Sequence, residues 1–134
     1  MIQHIYQTKI YYKDIDQMGI VYYSRYFEFF EESRTEMLAD IGLKYSEIEL
    51  QGYMMPVIEA HAEYKKGASF EDEIIIRSQV TEMPKTRLTV RYEIQLKNKY
   101  ELLLKGYTIH VFTNKKGRPI KIPKYIFEIF NSYF

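Results

Sequence analysis

The chain has 134 residues, 46% of them hydrophobic and 28% charged, which suits one folded domain over 1–134 and excludes a disordered chain. Nineteen basic and eighteen acidic side chains leave a formal net charge of +1, so no global field attracts nucleic acid. With no cysteine, a disulfide framework, a thiolate metal site and thiol catalysis are excluded.

Residues 3–13 read as a first strand rich in Ile, Tyr and Thr. Over 24–41, Tyr26, Phe30, Ser33, Met37 and Ile41 recur at helical spacing, and Phe27 and Leu38 widen the apolar face. Glu28, Glu32, Thr35 and Glu36 fall on the other side, and Gly42 suits the helix end. Residues 43–51 hold a further short helix before Gly52. The rest has the two-residue period of sheet. Ile58, Ala60, Ala62 and Tyr64 alternate with Glu59, His61, Glu63 and Lys65. After a turn at Gly67, Ala68 and Ser69, the alternation resumes with Ile74, Ile76, Ser78 and Val80, then with Leu88, Val90, Tyr92, Ile94 and Leu96. Asn98 and Lys99 form a hairpin turn into a long strand over 100–113, residues 114–119 turn again, and Pro123 starts a short C-terminal element.

One strand, a long helix and four strands predict an α+β domain in which an antiparallel sheet wraps the helix. Each later strand offers one apolar face for that helix to cover, and uncovered sheet edges favour self-association. Fourteen tyrosines and eight phenylalanines fit strands, a subunit interface or a lined pocket. No stretch reaches the roughly 18 to 20 apolar residues of a membrane span. The first six residues lack the basic start and apolar core of a secretory signal, and the absence of cysteine fits the expected cytoplasmic setting.

Between the first strand and the helix lies an acidic turn containing Asp14, Asp16 and Gly19. If extended, the two aspartates point in opposite directions, which argues against a two-carboxylate dyad. Gly19 permits a sharp turn, and the first helical N–H groups lack intrahelical acceptors. A carboxylate beside such amides suits acyl transfer or hydrolysis, because the amides can hold a developing oxyanion. The alternative is an ordinary Asx loop whose aspartates satisfy nearby backbone donors.

Tyr12, Asp14, Asp16, Gly19, Ile20, Val21, Tyr22 and Tyr26, followed by Phe29, Phe30, Glu31, Arg34, Thr35 and Glu36, resemble the 4-hydroxybenzoyl-CoA thioesterase-like branch of the hotdog-fold thioesterases. Tyr64 with Ala68, and the run from Pro119 to Pro123, extend the likeness along nearly the whole chain. The resemblance implies a hotdog fold and an acyl-CoA thioesterase with Asp16 as nucleophile or general base. The Tyr23 backbone amide would polarise the carbonyl, while Gly19 and Tyr22 shape the substrate turn. Glu31 and Arg34, three apart on the helix, are either a solvated ion pair or support for that turn or a partner subunit. The chain departs from its relatives at Tyr23, where a histidine is common, at Arg25, where an asparagine is common, and at Ile15, where a threonine is common.

His61 shares a strand face with Glu59 and Glu63, but alternate strand residues lie about 6 to 7 Å apart, so no metal is expected. Lys65, Lys66, Arg87 and Arg91 are candidates for the CoA phosphates, with ordinary solvated charge as the plain alternative. No dinucleotide or P-loop fingerprint is present, so no cofactor is expected beyond the coenzyme A of substrate and product. The resemblance implies a homodimer or homotetramer. An acyl-carrier-protein thioesterase and a noncatalytic acyl-CoA-binding protein are the alternatives.

Overall fold

Alternating apolar and polar residues can form a ladder only where neighbouring strands share a register, and here every pair is antiparallel. The computed structural model describes residues 1–134. The chain runs through β1 (Ile2–Lys9), a 3-10 turn (Tyr12–Asp14), α1 (Arg25–Asp40) and α2 (Tyr45–Leu50). It continues through β2 (Tyr53–Met54), β3 (Val57–Tyr64), β4 (Glu73–Val80), β5 (Arg87–Leu96), β6 (Leu102–Asn114), β7 (Pro119–Ile120) and α3 (Lys124–Asn131). The sheet order is β1-β4-β5-β6, with β2 and β3 along the far side of β6 and β7 paired to its end.

β4 buries Ile74, Ile76, Ser78 and Val80, and β5 buries Leu88, Val90, Tyr92 and Ile94. Against them α1 buries Tyr26, Phe29, Phe30, Ser33, Met37 and Leu38. Phe29 joins the predicted stripe, whereas Phe27 is only half-buried. α3 closes one end of the core with Ile126 and Phe130. No helix is long and apolar enough to cross a membrane.

Three expectations need correction. Six strands follow the long helix, not four, because β2 and β7 are too short to show an alternation in sequence. The first strand stops at Lys9, not residue 13. Ile10 is fully buried and exchanges backbone hydrogen bonds with Glu71 and Asp72, and residues 12–14 then coil into the 3-10 turn. β3 alternates in sequence, yet neither face is covered, because α1 lies against β1 and β4 and β3 is the outermost long strand. Val57, Ile58 and Tyr64 remain 44 to 48% exposed.

The centre of the core is an aromatic stack beside a glycine. The Phe30 and Tyr92 rings lie 4.2 Å apart and nearly parallel. At Gly106, a β-carbon would run into the His61 carbonyl oxygen and come within 3.0 Å of the Phe30 ring. Beside the stack runs a buried polar chain. His110 Nδ1 lies 3.0 Å from the Met55 carbonyl, which can only accept, so that nitrogen carries the proton. The neutral ring's Nε2 then accepts from Thr108, Thr108 accepts from the Tyr92 hydroxyl, and Tyr92 accepts from Arg34 Nη1 at 3.0 Å. Burial, reinforced by the Arg34 charge, pushes the His110 pKa down to about 4.

Gly106→Ala should destabilise by about 2 kcal/mol, the usual cost of overpacking. A denaturant midpoint equal to that of the native protein would count against this packing account. His110 also makes stability pH-dependent. The unfolded imidazole takes up a proton near its ordinary 6.5, whereas the fold resists protonation until about pH 4. Its contribution is thus complete above pH 6.5 and lost progressively down to about 4, with a slope approaching about 1.4 kcal/mol per pH unit. Unfolding free energies of native protein and His110→Gln should therefore converge as pH falls through that window; a constant difference would contradict it.

Candidate active site

The site grows from the way the chain crosses from β1 to α1. Ile15 bridges Val21, and the Asp16 N–H donates to the Ile20 carbonyl at 2.9 Å, so residues 16–20 form a closed loop. Gly19 sits at φ +78° and donates its N–H to the Asp16 carbonyl at 3.0 Å, a left-handed turn that a side chain would strain. Asp16 Oδ1 accepts the Met18 N–H at 2.8 Å, the Asx geometry anticipated as the plain alternative. Its other carboxylate oxygen has no donor within the protein, and the residue is half-exposed.

Tyr23 precedes α1, and its N–H meets no acceptor in the protein. Its carbonyl accepts from the Tyr64 hydroxyl at 2.9 Å, which ties the helix entrance to the end of β3. The Tyr26 hydroxyl accepts the Ala68 N–H, and the Ala68 carbonyl accepts the Val21 N–H at 2.9 Å. Tyr64 and Ala68, matched in sequence only as distant parts of the resemblance, therefore hold the loop directly. A recess of about 260 Å³ opens here, lined by Ile20, Tyr23, Tyr26, Tyr64, Lys65 and Lys66 among others. The Tyr22 and Tyr23 rings lie 4.7 Å apart, and both side chains are exposed. The adjoining Tyr23 phenol, and to a smaller degree the Asp16 charge, raises the Tyr22 pKa.

Asp14 has a different place. It is 2% exposed, and its Oδ2 accepts the Tyr11 N–H at 2.8 Å. Its Oδ1 lies 2.7 Å from Arg25 Nε, and its carbonyl accepts the Tyr22 N–H. Arg25 Nη1 donates at 2.8 Å to Glu32, whose other oxygen accepts the Tyr6 hydroxyl at 2.9 Å. Tyr6 escaped the sequence reading, and Arg25 stood there only as a departure from the relatives. Glu32 was placed on the solvent face, although its seven-residue spacing from Arg25 puts both on one side of the helix.

The other candidates separate. Glu31 is exposed and forms no ion pair with Arg34, which turns inward to Tyr92 instead. Lys65 and Lys66 border the recess while pairing with Glu63 at 3.5 Å and Glu101 at 2.9 Å. Arg91 lies in a separate recess of about 270 Å³ on the outer sheet face, with Arg77 and Lys105, and Arg87 lies beside Pro119 and Lys121. His61 stacks on Tyr107 at 5.2 Å and lies 3.6 Å from Glu63. No group of three His, Asp or Glu side chains is arranged to hold a metal ion.

Residues 11–130 match the family model of the thioesterase-like superfamily. The acyl-CoA thioesterase YbgC of Haemophilus influenzae is 28% identical over 122 residues, covering 89% of this chain and 88% of that one. The DHNA-CoA thioesterase of Staphylococcus aureus superposes with a TM-score of 0.90 at 27% identity, over 99% of this chain and 89% of that one. A 4-hydroxybenzoyl-CoA thioesterase shares the fold at a TM-score of 0.86 and 20% identity, over 96% of this chain and 99% of that one. With an antiparallel sheet packed on one long helix and a family match across nearly all its length, the chain belongs to the thioesterase-like superfamily and is a thioester hydrolase of the hotdog fold.

Proposed function

We propose that residues 1–134 act as one acyl-CoA thioesterase domain, cleaving the acyl–sulfur bond with water to give a carboxylate and free CoA. The observation that carries this reading is an Asp16 oxygen without a protein donor on the closed loop, followed at the helix entrance by a Tyr23 N–H without an acceptor. The Tyr23 amide donates to the thioester carbonyl and stabilises the oxyanion, a contribution typically worth about 3 kcal/mol. What the reaction asks of the Asp16 carboxylate is orientation toward the carbonyl carbon or its attacking water.

Two routes balance. As base, Asp16 takes a proton from a water that adds to the carbonyl; the tetrahedral intermediate collapses and that proton leaves with the thiolate. As nucleophile, Asp16 displaces the thiolate to form a mixed anhydride, which water then hydrolyses. Neither route needs an electron carrier, and CoA enters only as part of substrate and product. Gly19 gives the loop its turn and Tyr22 stands at its exit. Lys65 and Lys66 border the recess and suit the CoA diphosphate, whereas Arg87 and Arg91 on the outer sheet face lie outside it.

The protein works as an oligomer through β3 in this reading. An uncovered outer strand with exposed Val57, Ile58 and Tyr64 is a template for a second copy, and Tyr64 links that strand to Tyr23. In this reading the setting is cytoplasmic, as the sequence leads one to expect.

Release of CoA from aromatic, short-chain and long-chain acyl-CoAs should be seen with native protein and fall at least about a hundredfold in Asp16→Asn, with the fold retained. Native-like turnover by that variant on every responsive substrate would refute the assignment. In sedimentation, the native protein should exceed its 16.2 kDa chain mass at least twofold, and Ile58→Lys should shift it towards monomer. A native monomer at micromolar concentration would remove the β3 interface from the account.

A further inference from the structure

Arg25 is the one arginine that joins the loop, the helix and the first strand. Its side chain is 17% exposed and held from three directions: Nε 2.7 Å from Asp14, Nη1 2.8 Å from Glu32, and the guanidinium carbon 4.1 Å from the Phe29 ring centre. Glu28 adds a looser contact at 3.6 Å. On one side, Asp14 accepts from Tyr11 and Tyr22, the two arms of the loop that carries Asp16. On the other, Glu32 continues to Tyr6 of β1.

We propose that Arg25 is a positioning residue of the thioester site, clamping the first residue of α1 to Asp14 and so fixing the separation between the Asp16 carboxylate and the Tyr23 amide. The inference rests on the acyl-CoA thioesterase reading above. Arg25 touches neither reacting group. It stands two residues after the amide donor and is bonded to the side chain two residues before the carboxylate. The Tyr22 N–H and Arg25 Nε both end on Asp14, one on its carbonyl and one on its carboxylate. The helix entrance is therefore pinned at two points three residues apart, and Tyr23 lies between them. The Arg25 N–H also donates to the Tyr22 carbonyl at 2.9 Å, which orients the peptide unit bearing the Tyr23 N–H. Only a planar fork reaches Asp14 and Glu32 together from one position. A lysine keeps the charge but offers a single point of contact, so it separates charge from geometry. Misplacing reacting groups by about 1 Å can cost about a hundredfold in rate without weakening binding.

The test uses the full chain and three proteins: native, Arg25→Lys, and the double variant Asp14→Asn with Arg25→Gln, which leaves no unpaired charge at the buried position. The readouts are kcat and KM for the best acyl-CoA, thermal unfolding, and amide hydrogen exchange across 14–25. The positioning role predicts that both variants fold, that KM stays within about twofold, and that kcat falls about ten- to a hundredfold. It also predicts faster exchange confined to 14–25. The inference is overturned if both variants keep kcat within twofold of native. It is equally overturned if exchange quickens uniformly along the chain with a matching loss of thermal stability, the outcome of a purely structural ion pair. If native protein releases no CoA from any thioester, the thioesterase reading fails on its own, and the exchange arm still decides whether Arg25 locks the loop.

Discussion

Removing a carboxylate from water costs several kcal/mol unless its oxygens find strong partners, and Asp14 has done so at 2% exposure. Arg25 takes one oxygen, the Tyr11 amide takes the other, and the Tyr22 amide takes the residue's own carbonyl. These bonds draw the exit of β1 and the entrance of α1 together, so residues 16–20 are forced outward as a short closed loop. Asp16 and Gly19 lie on that loop, and Tyr23 follows it at the helix entrance. The two aspartates, alike in sequence, divide the work: one is buried to hold the loop, and the other keeps an oxygen open.

Helix α1 serves the same end from its other side. Its aromatic face is packed on the sheet through the Phe30–Tyr92 stack, and Gly106 leaves the room that stack requires. Behind the stack, the chain from Arg34 through Tyr92 and Thr108 to His110 satisfies every buried polar group it contains, provided His110 stays neutral. A helix held this firmly gives its first turn a fixed place against the loop. The Tyr23 side chain is 60% exposed, its ring tilted against that of Tyr22, so what ties this position to the frame is its backbone carbonyl, held by the Tyr64 hydroxyl.

The helix, the long strands and the turn at Gly19 were legible because each is local: a 3.6-residue stripe, a two-residue alternation and a glycine after acids. The strands β2 and β7, two residues each, are too short to show a period. The family resemblance supplied what periodicity lacks, the singling out of Asp16 and the Tyr23 amide. Long-range partnerships were not legible. Arg34 lies within reach of Glu31 in sequence but meets Tyr92, 58 positions away, because its side chain runs towards the core. Glu32 was misplaced for the same reason, its partners being Arg25 across two turns and Tyr6 on another element. β3 reads as a half-buried strand yet lies uncovered, since a single helix is not wide enough for the whole sheet.

The most direct measurement is a crystal structure of Asp16→Asn with its preferred acyl-CoA bound. The account predicts the thioester oxygen about 2.7 to 3.1 Å from the Tyr23 nitrogen, and the side chain at position 16 about 3 to 3.5 Å from the carbonyl carbon or from a water poised on it. A thioester seated away from the Tyr23 amide, for example in the outer recess beside Arg91, would contradict it.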